Sequence, residues 1–279
     1  MNATLDDLNA ASAADFVAVL GDIFEDAPWV AAEAAVARPF ATLAALHDAM
    51  MAVVRAASPE RGLLFLRGHP ELAGAGAMGA HSTAEQAASG LQADDGIAAL
   101  NVAYAGRFGI PFILCIRRHT RASMMSEFRR RLALDPASER EAALREIGFI
   151  TRLRLVERVG GPGAPVVHGS LTTHVLDAAL GRPAQGVEVE LAEIGGDCLV
   201  RTTTNAEGRT ERPLLSGAPL RIGRYELRFQ VGDYFTGRLA EHPPFLDVVP
   251  IRFGISEPEA HYHIPLLVSP GAYSTYRGS

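Results

Sequence analysis

His261-Tyr-His-Ile-Pro-Leu-Leu-Val-Ser-Pro-Gly-Ala-Tyr-Ser-Thr-Tyr-Arg-Gly-Ser279 is the stretch on which the reading of this chain turns. Soluble chains usually fray into a polar tail at their ends. Here β-branched and aromatic residues run up to Arg277-Gly278-Ser279. Side chains on an extended strand alternate between faces. His261 and His263 therefore share one face, and Thr275, Arg277 and Ser279 share one. Two imidazoles, a guanidinium, a hydroxyl and a terminal carboxylate are more polar chemistry than a plain edge strand carries, so the stretch reads as part of a site.

Working back from this stretch, the sequence keeps a strand-like pattern. Val187-Glu-Val-Glu-Leu, Cys198-Leu-Val-Arg-Thr, Arg224-Tyr-Glu-Leu-Arg-Phe and Leu246-Asp-Val-Val-Pro-Ile read as strands, separated by turns such as Asn205-Ala-Glu-Gly208. Several short strands at close spacing predict a β-sandwich. The pattern stops at Gly160-Gly-Pro-Gly-Ala-Pro165, where five of six residues are Gly or Pro. Before it the spacing is helical. Leu5, Leu8, Phe16, Val19 and Leu20 recur at helix intervals, as do Leu43, Leu46, Met50, Val53 and Val54 within a predicted helix over 39–57. Further helices are predicted over 82–91, 95–108 and 138–155, and 68–81 reads as a connector. The expected organisation is an all-α domain over 1–159, a Gly/Pro linker over 160–166 and an all-β domain over 167–279.

Composition narrows the chemistry. The 26 basic residues are all arginine. A Schiff base, a pyridoxal-phosphate anchor and the phosphate-cradling Gly-x-x-x-x-Gly-Lys loop all need a lysine and are excluded. A formal net charge of −6 gives no electrostatic reason to expect nucleic acid or an anionic membrane as partner. Cys115 and Cys198 lie far apart and are read as two buried, reduced thiols. No signal peptide or bilayer-length apolar run is visible, which gives the expectation of a cytoplasmic protein.

Family resemblances add to this pattern. The ending Tyr276-Arg277-Gly278-Ser279, preceded by His-Tyr-His-x-Pro-Leu-Leu-x-Ser-Pro, resembles the C-terminal signature of the transthyretin-like 5-hydroxyisourate hydrolases. Leu171-Thr-Thr-His174-Val-Leu-Asp177, Gly181-Arg-Pro-Ala184 and Thr204-Asn-Ala-Glu-Gly-Arg209 fit the same family. The resemblance implies a transthyretin-like sandwich that assembles as a homotetramer, with sites in a channel between subunits. It implies catalytic roles for His174, Arg209, His263 and Ser279, with Tyr276 and Arg277 binding substrate. His174 and His263 would activate water and shuttle protons, and Arg209 would stabilise charge at the carbonyl.

The helical half resembles the 2-oxo-4-hydroxy-4-carboxy-5-ureidoimidazoline (OHCU) decarboxylases. The residues that carry this are Phe24-Glu25-x-x-Pro28-Trp29, His69-Pro70-x-Leu72, Ser82-x-x-Glu85-Gln86, and Asn101-x-x-Tyr104 through Phe108-Gly-Ile-Pro-Phe-Ile-x-Cys-x-Arg117. Glu146-Ile-x-x-Ile-x-Arg-Leu153 also fits. Ala27 and Ala75 depart from the family's usual Ser and Lys. The resemblance implies catalytic roles for His69 and Glu85, with Pro70, Ser82, Gln86, Phe112, Ile113 and Arg117 binding substrate. The substrate's own conjugated carbonyl and ring nitrogens can hold the charge left by CO₂, so no cofactor is expected.

The implied function is a bifunctional enzyme of urate degradation, acting on 5-hydroxyisourate and then on OHCU to give (S)-allantoin. Dimer contacts through the helical half are a further expectation. Two other readings stand beside it. His174, His261 and His263 permit a three-imidazole zinc site, although the family site is metal-free and His261 is then structural. The sandwich alternatively serves as a small-molecule-binding or oligomerisation module, with only the decarboxylase active.

Overall fold

The structure, a computed structural model, describes residues 3–72, 96–238 and 243–278. The predicted helix over 82–91 lies outside these residues. The chain divides into two compact units, residues 1–167 and 168–279.

The first unit begins with β1 (Ala3–Thr4), α1 (Leu5–Ala10), α2 (Ala13–Leu20), α3 (Pro28–Ala34), α4 (Leu43–Ala56) and α5 (Pro59–Arg67). It continues with α6 (Ile97–Phe108), α7 (Arg121–Leu132), α8 (Pro136–Arg158) and β2 (Val159–Gly160). Side-chain caps mark the starts. Thr4, Ser12, Thr42, Ser58, Thr120 and Asp135 each accept a hydrogen bond from a backbone N–H of the first turn. The helices differ from expectation at several points. The helix predicted from Pro39 begins only at Leu43, because Thr42 is its cap. Ser58-Pro59 ends one helix but also starts α5, with Ser58 as cap and Pro59 in the first turn, where a missing N–H costs nothing. α7 was hidden by its three consecutive arginines, Arg129 to Arg131.

The Gly160–Pro165 segment is also more than a connector. The carbonyls of Pro162 and Gly163 accept hydrogen bonds from the N–H groups of Leu43 and Ala44 at 3.0 and 3.2 Å. These are donors that a helix start leaves unpaired. Gly163 has φ +59, and a Cβ there would fall 2.6 Å from Thr42 Cγ2, so glycine is required. β1 and β2 pair in parallel, tying the two ends of the helical unit together.

Inside the unit, Arg131 is fully buried. Its Nε lies 3.1 Å from both oxygens of the equally buried Glu139, and its Nη1 donates to the Ile113 carbonyl at 2.6 Å. Tyr104 donates its hydroxyl to Glu139 as well. The guanidinium sits 4.7 Å from the centroid of Phe112, which stacks on Phe128 at 3.9 Å. This network fixes the irregular segment after α6.

The second unit contains β3 (Ser170–Asp177), β4 (Arg182–Pro183), β5 (Glu188–Glu193), β6 (Cys198–Thr203) and β7 (Gly223–Gln230). A short helix α9 (Val231–Phe235), which the strand pattern does not reveal, precedes β8 (Val248–Ile255), β9 (His261–Ser269) and β10 (Ala272–Thr275). Two four-stranded sheets result, ordered β10-β9-β3-β4 and β6-β5-β7-β8. β3 and β9 pair in parallel, and the other neighbours are antiparallel. Alternation decides the faces. Leu171, Val175, Leu266 and Val268 of one sheet pack with Val189, Leu191, Leu227 and Phe229 of the other in a buried core. The expected all-β sandwich is therefore present. Cys115 is buried, but Cys198 is exposed at the edge strand β6, which corrects the reading of two buried thiols. Among the described residues no helix is long and apolar enough to cross a membrane.

Arg131 generates a stability prediction. Removing one partner of a buried ion pair leaves the other charge uncompensated and costs about 3–5 kcal/mol. Arg131→Ala should lower the denaturation midpoint of the helical unit, read by far-ultraviolet circular dichroism. An unchanged midpoint would contradict the role assigned to the pair.

Candidate active sites

In the helical unit, the His69-Pro70 motif follows the last turn of α5. Pro70 has no N–H with which to continue the helix. The His69 ring folds back, and its Nδ1 lies 3.0 Å from the Phe65 carbonyl. A carbonyl only accepts, so Nδ1 carries the proton. Burial pushes the His69 pKa down to about 4, only partly opposed by the Phe65 carbonyl and by Glu25. The ring is therefore neutral near pH 7, with an unshared electron pair on Nε2. Phe65 meets His69 edge-on at 4.9 Å, and Trp29 meets Phe65 at 6.1 Å. The Phe24-to-Trp29 motif thus supports the wall from which His69 projects.

His69 and Pro70 line a cavity with Phe112, Ile113 and Leu114 from the segment after α6. Ile147, Ile150, Thr151 and Arg154 of α8 close it, together with Glu25. Arg154 Nη1 lies 3.1 Å from Glu25 Oε2, and both side chains are nearly fully buried. Neither was singled out as a site residue from the sequence. A signal was available, because Arg154 follows Ile147 by seven residues and Ile150 by four. An arginine in the apolar stripe of a helix is not an ordinary surface charge.

Arg117 is placed elsewhere. It forms a 2.7 Å ion pair with Glu157 and is not among the residues lining the cavity. The structure brings together His69, Pro70, Phe112 and Ile113. Ser82, Glu85 and Gln86 lie outside the described residues.

In the second unit, the parallel pairing of β3 and β9 sets Thr172 opposite His263 and His174 opposite Pro265. Core residues alternate with these, so Thr172, His174, His261 and His263 all face outward from the sandwich. The turn Asn205-Ala-Glu-Gly208 brings Arg209 alongside. Asn205 Oδ1 accepts from the N–H groups of Glu207 and Arg209 at 3.0 and 3.1 Å. Arg209 forms a β-bridge with His174. Gly208 (φ +70) lies so close that a Cβ would strike the Val175 carbonyl and sit 3.1 Å from His174 Cδ2.

His174 Nε2 is buried and has no hydrogen-bond partner among the described residues. Burial, then the charge of Arg209, push the His174 pKa down, opposed by a hydrogen bond to the Glu207 backbone. Burial, then Arg209, also lower the pKa of His263. Gly278 packs on that ring. Its N–H donates to the His263 carbonyl at 2.9 Å, and a Cβ would fall 2.5 Å from His263 Cδ2. The glycine of the Tyr-Arg-Gly-Ser ending is thus fixed by the imidazole it covers.

Tyr276 and Arg277 are not brought to the histidines within the chain. They line a groove with Ile251, Arg252 and Phe253 of β8, and the Arg277 guanidinium lies 4.8 Å from the Tyr262 ring centroid. Ser279 lies outside the described residues. His261 is exposed and is held by Thr172, a residue that sequence reasoning passed over. Both ring nitrogens facing Thr172 are taken up by its hydroxyl.

Comparison with known proteins matches each unit to a family. Residues 9–156 match the family model described as OHCU decarboxylase, and residues 171–278 match the HIUase/Transthyretin family. A 5-hydroxyisourate hydrolase 2 of Rhizobium meliloti is 54% identical over 116 residues, covering 40% of this chain and 97% of that protein. An OHCU decarboxylase of Halalkalicoccus jeotgali is 33% identical over 159 residues, covering 55% of this chain and 90% of that protein. The solved structure of an (S)-allantoin synthase is 32% identical, with a TM-score of 0.52, covering 99% of this chain and 100% of its own. The chain belongs to the OHCU decarboxylase family through its helical unit and to the HIUase/transthyretin family through its β-sandwich.

Proposed function

We propose that the chain performs two successive steps of urate breakdown. The sandwich hydrolyses 5-hydroxyisourate to OHCU, and the helical unit decarboxylates OHCU stereospecifically to (S)-allantoin. The observation that carries this reading is a repeated arrangement. In each unit a neutral imidazole stands near a guanidinium, His69 with Arg154 and His174 with Arg209.

For decarboxylation, Arg154 receives the substrate carboxylate, displacing part of its bond to Glu25. A guanidinium fork matches a carboxylate in two-point geometry. The apolar walls supplied by Phe112, Leu114, Ile147 and Ile150 favour neutral CO₂ over the charged carboxylate. The electron pair stays on the substrate's conjugated carbonyl and ring nitrogens. His69, with Nε2 unprotonated, takes up a proton from the substrate and returns it to one face, which makes the product a single enantiomer. Glu85, Ser82 and Gln86 complete the site by orienting the ureido group.

For hydrolysis, His174 and His263 supply uncharged imidazole nitrogens to deprotonate water and then protonate the leaving nitrogen. Arg209 stabilises the oxyanion. The Ser279 end and Tyr276 of another subunit close the site. Assembly is supported by the open edges. β10 is exposed along all four residues, and β8 ends the other sheet on the same side. An unpaired edge is a template for a second copy. We infer a cytoplasmic homotetramer built through the sandwich.

Three outcomes are expected. General acid–base groups contribute about 10²–10⁴-fold, so His69→Asn should slow CO₂ loss by at least about a hundredfold while ring opening stays normal. Because the His69 pKa lies near 4, decarboxylation should hold steady as the pH falls through 6.5 and decline only as it nears 4. A drop centred at 6.5 that His69→Asn abolishes would contradict the buried, neutral ring. Finally, dialysis against a strong chelator should leave ring opening unchanged, whereas His174→Ala and His263→Ala should each cripple it. Activity lost on chelation and restored by zinc would assign the histidines to a metal.

A further inference from the structure

The Thr172 hydroxyl lies 2.9 Å from His261 Nε2 and 2.9 Å from His263 Nδ1. One hydroxyl has one proton. Among the described residues its one other acceptor within reach, the Tyr262 carbonyl, is at 3.5 Å, the outer limit of a hydrogen bond. The proton therefore goes to one imidazole, and the other imidazole must donate its own N–H to the Thr172 oxygen. Two orders satisfy all three groups. In one, His263 Nδ1–H donates to Thr172, which donates to His261, and His263 Nε2 is left as a base. In the other every bond is reversed, and His263 Nε2 carries a proton. Thr172 makes the tautomers of the two rings depend on each other.

We propose that Thr172 and His261 are positioning residues for ring opening, setting which nitrogen of His263 holds the proton at each stage. This rests on the hydrolase reading above. The starting order presents His263 Nε2 with an unshared pair toward the incoming water. As that nitrogen takes a proton from water, the Nδ1 proton moves to the Thr172 oxygen and the hydroxyl proton moves to His261 Nε2. The hydroxide oxygen bonds to the ring carbonyl, whose C=O electrons become the oxyanion facing Arg209. The positive charge now rests on His261, and His263 is neutral with Nε2–H. When the oxyanion collapses and the C–N bond breaks, Nε2 gives its proton to the leaving nitrogen. The reverse shift along the chain restores the starting order, and His261 is neutral again.

The placement of the three groups supports this. Thr172 and His263 are direct partners in the parallel ladder, and His261 pairs with Ser170 one step along the same face. His263 is half-buried and clamped by Gly278, so its ring cannot turn to find another donor. His261 is exposed, where a charge is cheap to hold in water.

The test compares Thr172→Val, which keeps the shape without the hydroxyl, with Thr172→Ser, which keeps the hydroxyl, in the full chain. Thr172→Val should lower kcat for ring opening by about tenfold or more, the scale of a misplaced proton in acid–base catalysis, with little change in KM. Thr172→Ser should recover most of it. Thr172→Val combined with His261→Ala should be no slower than Thr172→Val alone. Nitrogen-15 spectra of the histidine rings should show one dominant His263 tautomer in the unaltered chain and a mixture in Thr172→Val. Circular dichroism of each sample checks that the sandwich is folded. If the unaltered chain does not accelerate ring opening, the hydrolase reading fails. If it does, and Thr172→Val matches it in kcat and spectrum, the proposal is overturned. Equal losses in Thr172→Val and Thr172→Ser would overturn it too, by making Thr172 a packing residue.

Discussion

An imidazole surrounded by protein gives up its charge, because the charged form loses more hydration than the neutral form. Both units of this chain depend on that constraint. His69 is pressed between α5 and the cavity wall, and His174 and His263 are half-sunk into the outer face of a sheet. In each case burial is the largest influence on the pKa. The nearby guanidinium acts in the same direction, since it disfavours a second positive charge. A neutral ring with one committed nitrogen has its other nitrogen ready to accept a proton. The backbone commits the first nitrogen of His69 through the Phe65 carbonyl, and the Thr172 hydroxyl pairs with Nδ1 of His263.

The scaffolds meet this constraint by different means. In the helical unit the cavity wall is irregular backbone, which needs tethering to keep its shape. Arg131 supplies the tether through the Ile113 carbonyl, and Glu139 compensates its charge. The sandwich needs no such tether, since the register of β3 against β9 places Thr172, His174 and His263 on one face by itself. Glycines finish the work there. Gly208 lets the Arg209 turn approach His174, and Gly278 lets the chain lie against His263.

The sequence made much of this legible, for reasons that differ by element. The sandwich strands showed because their inward faces are apolar and their outward faces polar. The two-unit division showed in the change of period, although Pro162 and Gly163 turned out to cap α4 rather than only to connect. α5 and α7 escaped notice because one begins at a Ser-Pro that also ends a helix, and the other is crowded with arginines. Among site residues, the histidines stood out as rare types in recognisable motifs. Arg154 and Thr172 did not, because arginine and threonine are common and their roles come from contacts that no local pattern reports. Arg117 illustrates the converse. Its place in a motif suggested substrate binding, while its guanidinium is engaged by Glu157.

The central claim is that one chain opens the ring and then decarboxylates the product. The most direct measurement is to generate 5-hydroxyisourate from urate with urate oxidase in the presence of the intact chain. Ultraviolet absorbance follows both later steps, and circular dichroism reads the handedness of the product. The account predicts that both decays are accelerated and that optically pure (S)-allantoin accumulates. Persistence of either intermediate at its uncatalysed rate, or a racemic product, would contradict it.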